Sequence, residues 1–137
     1  MACLFCRIAS GEIPAEIVAQ DADTVAFLDI TPLADGHTVV VPRAHAATVE
    51  ELKPADNAAL FAAVRRLAGA VRTATGAAGT TIGVNNGAAT GQTIPHVHVH
   101  IVPRWSDDRA GSVHTIFTAG TRRPVAEVAK EIRKAIA

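Results

Sequence analysis

Between Pro95 and Pro103 the chain reads His-Val-His-Val-His-Ile-Val, placing three of its six histidines on alternate positions. Successive side chains of a strand point to opposite faces, so His96, His98 and His100 share one face and Val97, Val99 and Ile101 the other. In a helix His98 would fall roughly opposite its two neighbours, and the β-branched residues between the histidines favour an extended backbone. The pattern predicts a strand over His96–Val102, bounded by the two prolines. One face packs on a core, and the other carries a row of imidazoles.

A strand of this kind needs a sheet, and 137 residues suffice for one domain with a single core. No repeat, low-complexity tract or linker divides the sequence, so 1–137 reads as one domain. No apolar run approaches the roughly 18 residues of a membrane span, so membrane insertion and a membrane partner are not expected. The start, MACLFCRIASGEIP, lacks the basic segment and long apolar run of a secretory signal, and a cytoplasmic protein is expected. Thirteen basic residues balance thirteen acidic ones. Nothing therefore draws the whole molecule to nucleic acid, and any phosphate recognition is local.

Around the histidine strand the pattern gives a short helical turn over Cys3–Ser10 ended by Gly11, then strands over Ile17–Ala19 and Thr24–Ile30. Residues Thr31–Gly36 read as a turn, and His37–Val41 as a third strand closed by Pro42. Pro54 suits a first helical position, and Leu60, Val64, Leu67 and Val71 recur on one helical face before Gly76. A fourth strand covers Thr80–Asn85, a polar loop Asn86–Thr93, and the histidine strand is the fifth. Pro124 opens a second amphipathic helix with Val125, Val128, Ala129, Ile132 and Ile136 on its apolar face. Short neighbouring strands with one inserted helix and no βαβ rhythm predict an antiparallel α+β domain.

A lone strand histidine is ordinarily a surface or hydrogen-bonded core residue. Three on one face, where Thr, Lys or Glu would be usual, point to binding or reaction. Two chemistries compete. Neighbours two apart lie about 7 Å from each other and could share a metal, but the outer pair is about 13 Å apart and one ion on all three would be strained. Alternatively a neutral imidazole attacks an electrophile while its neighbours orient it and offset developing charge, a task that suits the central His98. The preceding Asn85–Thr93, NNGAATGQT, offers small residues, backbone N–H groups, amides and hydroxyls suited to phosphate oxygens, although it also reads as an ordinary turn.

Cys3 and Cys6 are the only two cysteines. Their spacing fits half of a tetrahedral zinc site, a redox pair, or inert thiols; no strand precedes them, as a redox motif would require.

Taken together, these segments resemble the histidine triad nucleotide-binding family. His96–Val102 matches its His-φ-His-φ-His-φ-φ motif, where φ is apolar, and Gly91-Gln92-Thr93 its Gly-Gln-Ser/Thr segment. Phe5–Ile8 with Gly11–Pro14, Ala26–Ile30, and Gly36–His45 resemble further family blocks in the same order, giving coverage from about Cys3 to Arg104. The resemblance implies a five-stranded antiparallel sheet, a homodimer with a joined ten-stranded sheet, and hydrolysis at the α-phosphorus of a purine nucleotide or AMP conjugate. It implies His98 as nucleophile through a nucleotidyl-histidine intermediate, His100 as phosphate or leaving-group partner, and His37 as a supporting fourth histidine. It further implies that Asn85, Gly91, Gln92 and Thr93 line the α-phosphate site, that Asp29 holds the ribose, and that Phe5, Ile8, Leu28 and Ile30 form the purine slot. Members with the N-terminal pair resemble a structural zinc site of Cys3, Cys6, His45 and His96, so that His96 serves the metal as well as the catalytic strand; no organic cofactor is implied.

Pro95 stands where many members carry an aromatic residue, and Thr93 replaces a common serine. After Arg104 the likeness fades, leaving Arg104, Trp105 and His114 as substrate, surface or dimer residues. The transferase branch has glutamine in place of the third histidine, and the retained His100 favours hydrolysis over nucleotidyl transfer. A nucleotide-binding regulatory module with little turnover, and a hydrolase using the triad as zinc ligands, are the readings from other classes.

Overall fold

The computed structural model describes residues 3–137; Met1 and Ala2, part of the one-domain and signal-peptide readings above, lie outside the described residues. Helix α1 (Leu4–Ala9) starts at Cys3, whose sulfur accepts the N–H of Cys6 at 3.3 Å and so caps an otherwise unpartnered donor. Strands β1 (Ile17–Gln20), β2 (Thr24–Leu28), β3 (Thr38–Pro42), β4 (Gly79–Gly83) and β5 (Val99–Arg104) form one sheet in the order β1-β2-β3-β5-β4. Every pairing is antiparallel, as the α+β reading requires.

Helix α2 (Pro54–Thr75) begins with proline in its first turn and ends at Gly76, whose φ of 68° is the left-handed cap that glycine takes without strain. Its Leu60, Val64, Leu67 and Val71 are buried against Ala26, Val40, Val99 and Ile101 on one sheet face. The other residues of the same strands, Val25, Phe27, Val39 and Val41, turn to the opposite face and bury Phe5 and Ile8 of α1. Strand parity thus sends Val97, Val99 and Ile101 under α2 and leaves the histidines on the α1 side. Leu60 is fully buried, and truncating such a residue to alanine costs about 2–5 kcal/mol.

The histidine strand departs from the expected His96–Val102. The β3–β5 ladder pairs only Thr38–Val40 with Ile101–Val99, so His96 and His98 precede it. Continued register would set Val97 against Pro42, which has no N–H to give. Val97 instead donates to the carbonyl of Ala46 at 2.8 Å, and the Pro42 carbonyl takes the ring of His96. Pro103 does not end the strand either. It lies within β5 opposite Thr80, beyond Ile101, the last residue paired with β3.

After β5 the guanidinium of Arg104 gathers the chain by donating to Asp108, Thr81 and the carbonyls of Ala110 and Gly111. Helix α3 (Val125–Ile136) forms where Pro124 announces it, but it buries none of its residues; Val125, Ile132 and Ile136 of its apolar face are exposed.

Candidate active site and metal centre

Two clusters meet at the N-terminal end of β5. In the first, the cap and first turn of α1 present Cys3 and Cys6, the segment after β3 presents His45, and the segment leading into β5 presents His96. Cys3 Sγ lies 3.6 and 3.3 Å from Nδ1 of His45 and His96, Cys6 Sγ 3.4 Å from each, and the two nitrogens 3.3 Å apart. These are the edges of a tetrahedron: bond lengths of about 2.3 Å to sulfur and 2.05 Å to nitrogen give S···N edges of about 3.6 Å and an N···N edge of about 3.3 Å. The ring of His96 is prepared for the role, because its Nε2 donates to the carbonyl of Pro42 at 2.8 Å and leaves Nδ1 bare toward the thiols. The set could hold a metal ion, with all its ligand atoms within 4.8 Å of one another.

Arg43 steadies this corner. Its guanidinium donates to the carbonyls of Ala9 and Asp21 and to the side chain of Gln20, tying the end of α1 to the β1–β2 turn. Only its place in a family block marked it in the sequence; the carbonyls it seeks are distant along the chain.

The second cluster is the histidine row. Nδ1 of His98 donates to the carbonyl of His96 at 2.8 Å, which leaves Nε2 of a neutral ring without a proton. The edge of the His98 ring meets Phe5, with ring centroids 4.9 Å apart. His100 follows at 5.0 Å, and its Nδ1 is 2.9 Å from Nε2 of His37, which is buried behind it. Burial pushes both His37 and His100 below the ordinary histidine value, the latter to about 4, with the neighbouring histidines adding to the shift of His100. Asp29 stands 3.8 Å from His37, opposing the shifts without reversing them.

His98 and His100 line a cleft of about 440 Å³. The predicted Phe5, Ile8, Leu28, Asp29, Ile30, Asn85, Gly91 and Thr93 line it too, while Ile13, Pro14 and Ile94 complete an apolar wall that sequence reading did not include. Gln92 does not join the lining. Its amide braces the loop, accepting the N–H of Gly87 and donating to the carbonyls of Ala47 and Ile94. Arg104, Trp105 and His114 are also outside this cleft, the first two beside a smaller hollow under the Arg104 loop.

Residues 10–107 match the family model described as HIT domain. The chain belongs to the HIT domain family. Among curated HIT proteins, the adenylylsulfatase HINT3 of Arabidopsis thaliana is 41% identical over 106 residues, covering 77% of this chain and 54% of its own length. The chain thus spans about half of that relative. The adenosine 5'-monophosphoramidase hnt1 of Schizosaccharomyces pombe is 36% identical over 79% of this chain and 78% of its own. Among solved HIT structures, a family member from Bacillus subtilis superposes with a TM-score of 0.88 at 32% identity, covering 100% of this chain and 99% of the other. A Zn-bound histidine triad family protein from Mycobacterium smegmatis gives a TM-score of 0.76 at 34% identity, covering 98% and 92%.

Proposed function

We propose that this HIT domain protein hydrolyses the bond to the α-phosphate of purine nucleotide conjugates, the phosphoramidates, AMP-lysine-like adducts and dinucleoside polyphosphates, through a nucleotidyl-His98 intermediate. The observation that carries the reading is the hydrogen bond from His98 Nδ1 to the His96 carbonyl, which bares Nε2 in a cleft with an apolar wall and a polar loop. A purine seats between Phe5, Ile8, Leu28 and Ile30, and Asp29 receives the ribose hydroxyls. Asn85, Gly91 and Thr93 meet the phosphate. Nε2 of His98 forms the bond to phosphorus as the leaving group departs with its electron pair, and water then releases AMP and restores the ring. Two relatives named as an adenylylsulfatase and an adenosine monophosphoramidase support the substrate class.

The S₂N₂ set of Cys3, Cys6, His45 and His96 suits zinc, which would supply a structural crosslink with no open position for substrate. The two free thiols that it needs accord with a cytoplasmic setting. We further propose a homodimer whose two sheets join into one of ten strands, in which the exposed apolar face of α3 is available to the second copy.

Steady-state release of AMP from an adenosine phosphoramidate tests the function. We expect wild-type turnover and a loss of 10³-fold or more, on the order of removing a catalytic nucleophile, in His98→Asn. Tight AMP binding with no release from any of the three conjugate classes overturns hydrolysis.

A further inference from the structure

Two backbone groups on opposite sides of the histidine row determine where its protons sit. The carbonyl of His96 can only accept, so His98 carries its proton on Nδ1. The N–H of Leu33 can only donate, and it lies 3.1 Å from Nδ1 of His37. A neutral His37 therefore carries its proton on Nε2. That nitrogen is 2.9 Å from Nδ1 of His100, so the proton between them belongs to His37, and the proton of His100 is on Nε2, at the far side of the ring.

The turn between β2 and β3 is shaped for this contact. His37 N–H donates to the carbonyl of Ala34 at 3.0 Å, folding the segment so that the Leu33 N–H meets the His37 ring. Gly36 has a φ of 96°, and a Cβ there would come within 2.6 Å of the Thr75 methyl, so the turn requires glycine on both counts. The Leu33 side chain, 78% exposed, contributes little to the core. Asp29 is 3.8 Å from His37 Nε2, too far to take its proton by hydrogen bonding. A second proton on His37 would enter at Nδ1, directly against the Leu33 N–H.

We propose that the Leu33 backbone N–H is a positioning group that orders the protons of the His37–His100 pair, so that His100 presents Nε2–H to the phosphate beside the bare Nε2 of His98. His98 and His100 are thereby held in opposite tautomers, one an attacking lone pair and the other a hydrogen-bond donor. The contact from His100 is a hydrogen bond without transfer. Giving up its proton would leave an imidazolate, on His100 itself or on His37 if the bridging proton followed, because His37 Nδ1 faces the Leu33 N–H and has no group there from which to regain a proton.

The proposal rests on the hydrolase reading for its kinetic consequence alone, because the proton order is observable without turnover. Long-range ¹H–¹⁵N correlation of ring-labelled histidine distinguishes protonated from bare nitrogens. In the wild type we expect protons on Nδ1 of His98 and on Nε2 of His37 and His100, with added AMP shifting the His100 Nε2–H signal. Leu33→Pro removes the N–H; it should leave His37 and His100 as mixtures of tautomers and reduce kcat roughly 10- to 100-fold, with a smaller change in KM. Leu33→Ala, which keeps the N–H, should retain the wild-type ring pattern. A proton on His100 Nδ1 in the wild type, or an unchanged ring pattern in folded Leu33→Pro, overturns the proposal. Absence of turnover in the wild type overturns the hydrolase reading instead, and the ring pattern still decides the proton order.

Discussion

Nδ1 of His98 donates to the carbonyl oxygen of His96 at 2.8 Å, while the ring of His96 itself faces two thiols and a second imidazole. One residue thus belongs to the candidate metal centre by its side chain and to the candidate nucleophile by its backbone. Loosening the first should disturb the second without removing any group that touches substrate.

Metal removal should therefore act through stability. Chelation, or Cys6→Ser, is expected to lower the unfolding free energy by on the order of 3 kcal/mol, the linkage expected of an ion bound well below its working concentration. Activity should fall in step with the unfolding temperature. Thermal melts and AMP release recorded across a chelator series check this, and immediate loss of activity at an unchanged melting temperature would instead make the metal catalytic.

Phe5 connects the two clusters from the other side, because it lies on α1 between the cysteines and packs on Phe27 and on the His98 ring. Phe5→Ala should cost about 3 kcal/mol or more, as for other buried aromatics, and weaken AMP binding together with it. Urea unfolding and calorimetric titration with AMP provide the two measurements.

The low value of His100 sets a pH dependence of stability. Its neutral form is favoured in the fold, so the unfolded chain takes up the proton first as the pH falls below the ordinary histidine value of about 6.5. Stability is then full above that pH and declines toward pH 4, by an upper limit of about 3 kcal/mol from this residue. The difference in urea midpoint between pH 7 and pH 4.5 should be smaller in His100→Gln than in the wild type, while loss of the metal affects both proteins alike.

The exposed apolar face of α3 supplies the prediction for assembly. Ile132, 55% exposed, is one of its larger side chains, and Ile132→Glu should shift a homodimer toward monomer. Sedimentation velocity of both proteins checks it, and a wild-type monomer at all concentrations contradicts the dimer.

Much of this arrangement was legible because period-two alternation survives even where the ladder does not. His96 and His98 share the face of His100 although neither pairs in the sheet. The missing part was what backbone groups do once the chain is folded. Pro42 has no N–H to continue the ladder, and its carbonyl orients His96 from 54 positions away in the sequence. The Gln92 amide is used up on backbone groups, the N–H of Gly87 in its own loop and the carbonyl of Ala47 after β3. Leu33 acts through an N–H that every residue but proline possesses, so no residue-type signal marks it.

Rapid quench identifies the nucleophile. The wild type and His98→Asn are mixed with an adenosine phosphoramidate, acid-quenched within the first turnover, and analysed by intact mass. With His98 as the nucleophile, a transient AMP-sized increase is expected in the wild type and none in the variant. The same adduct in His98→Asn, or its mapping to another residue, would contradict that role.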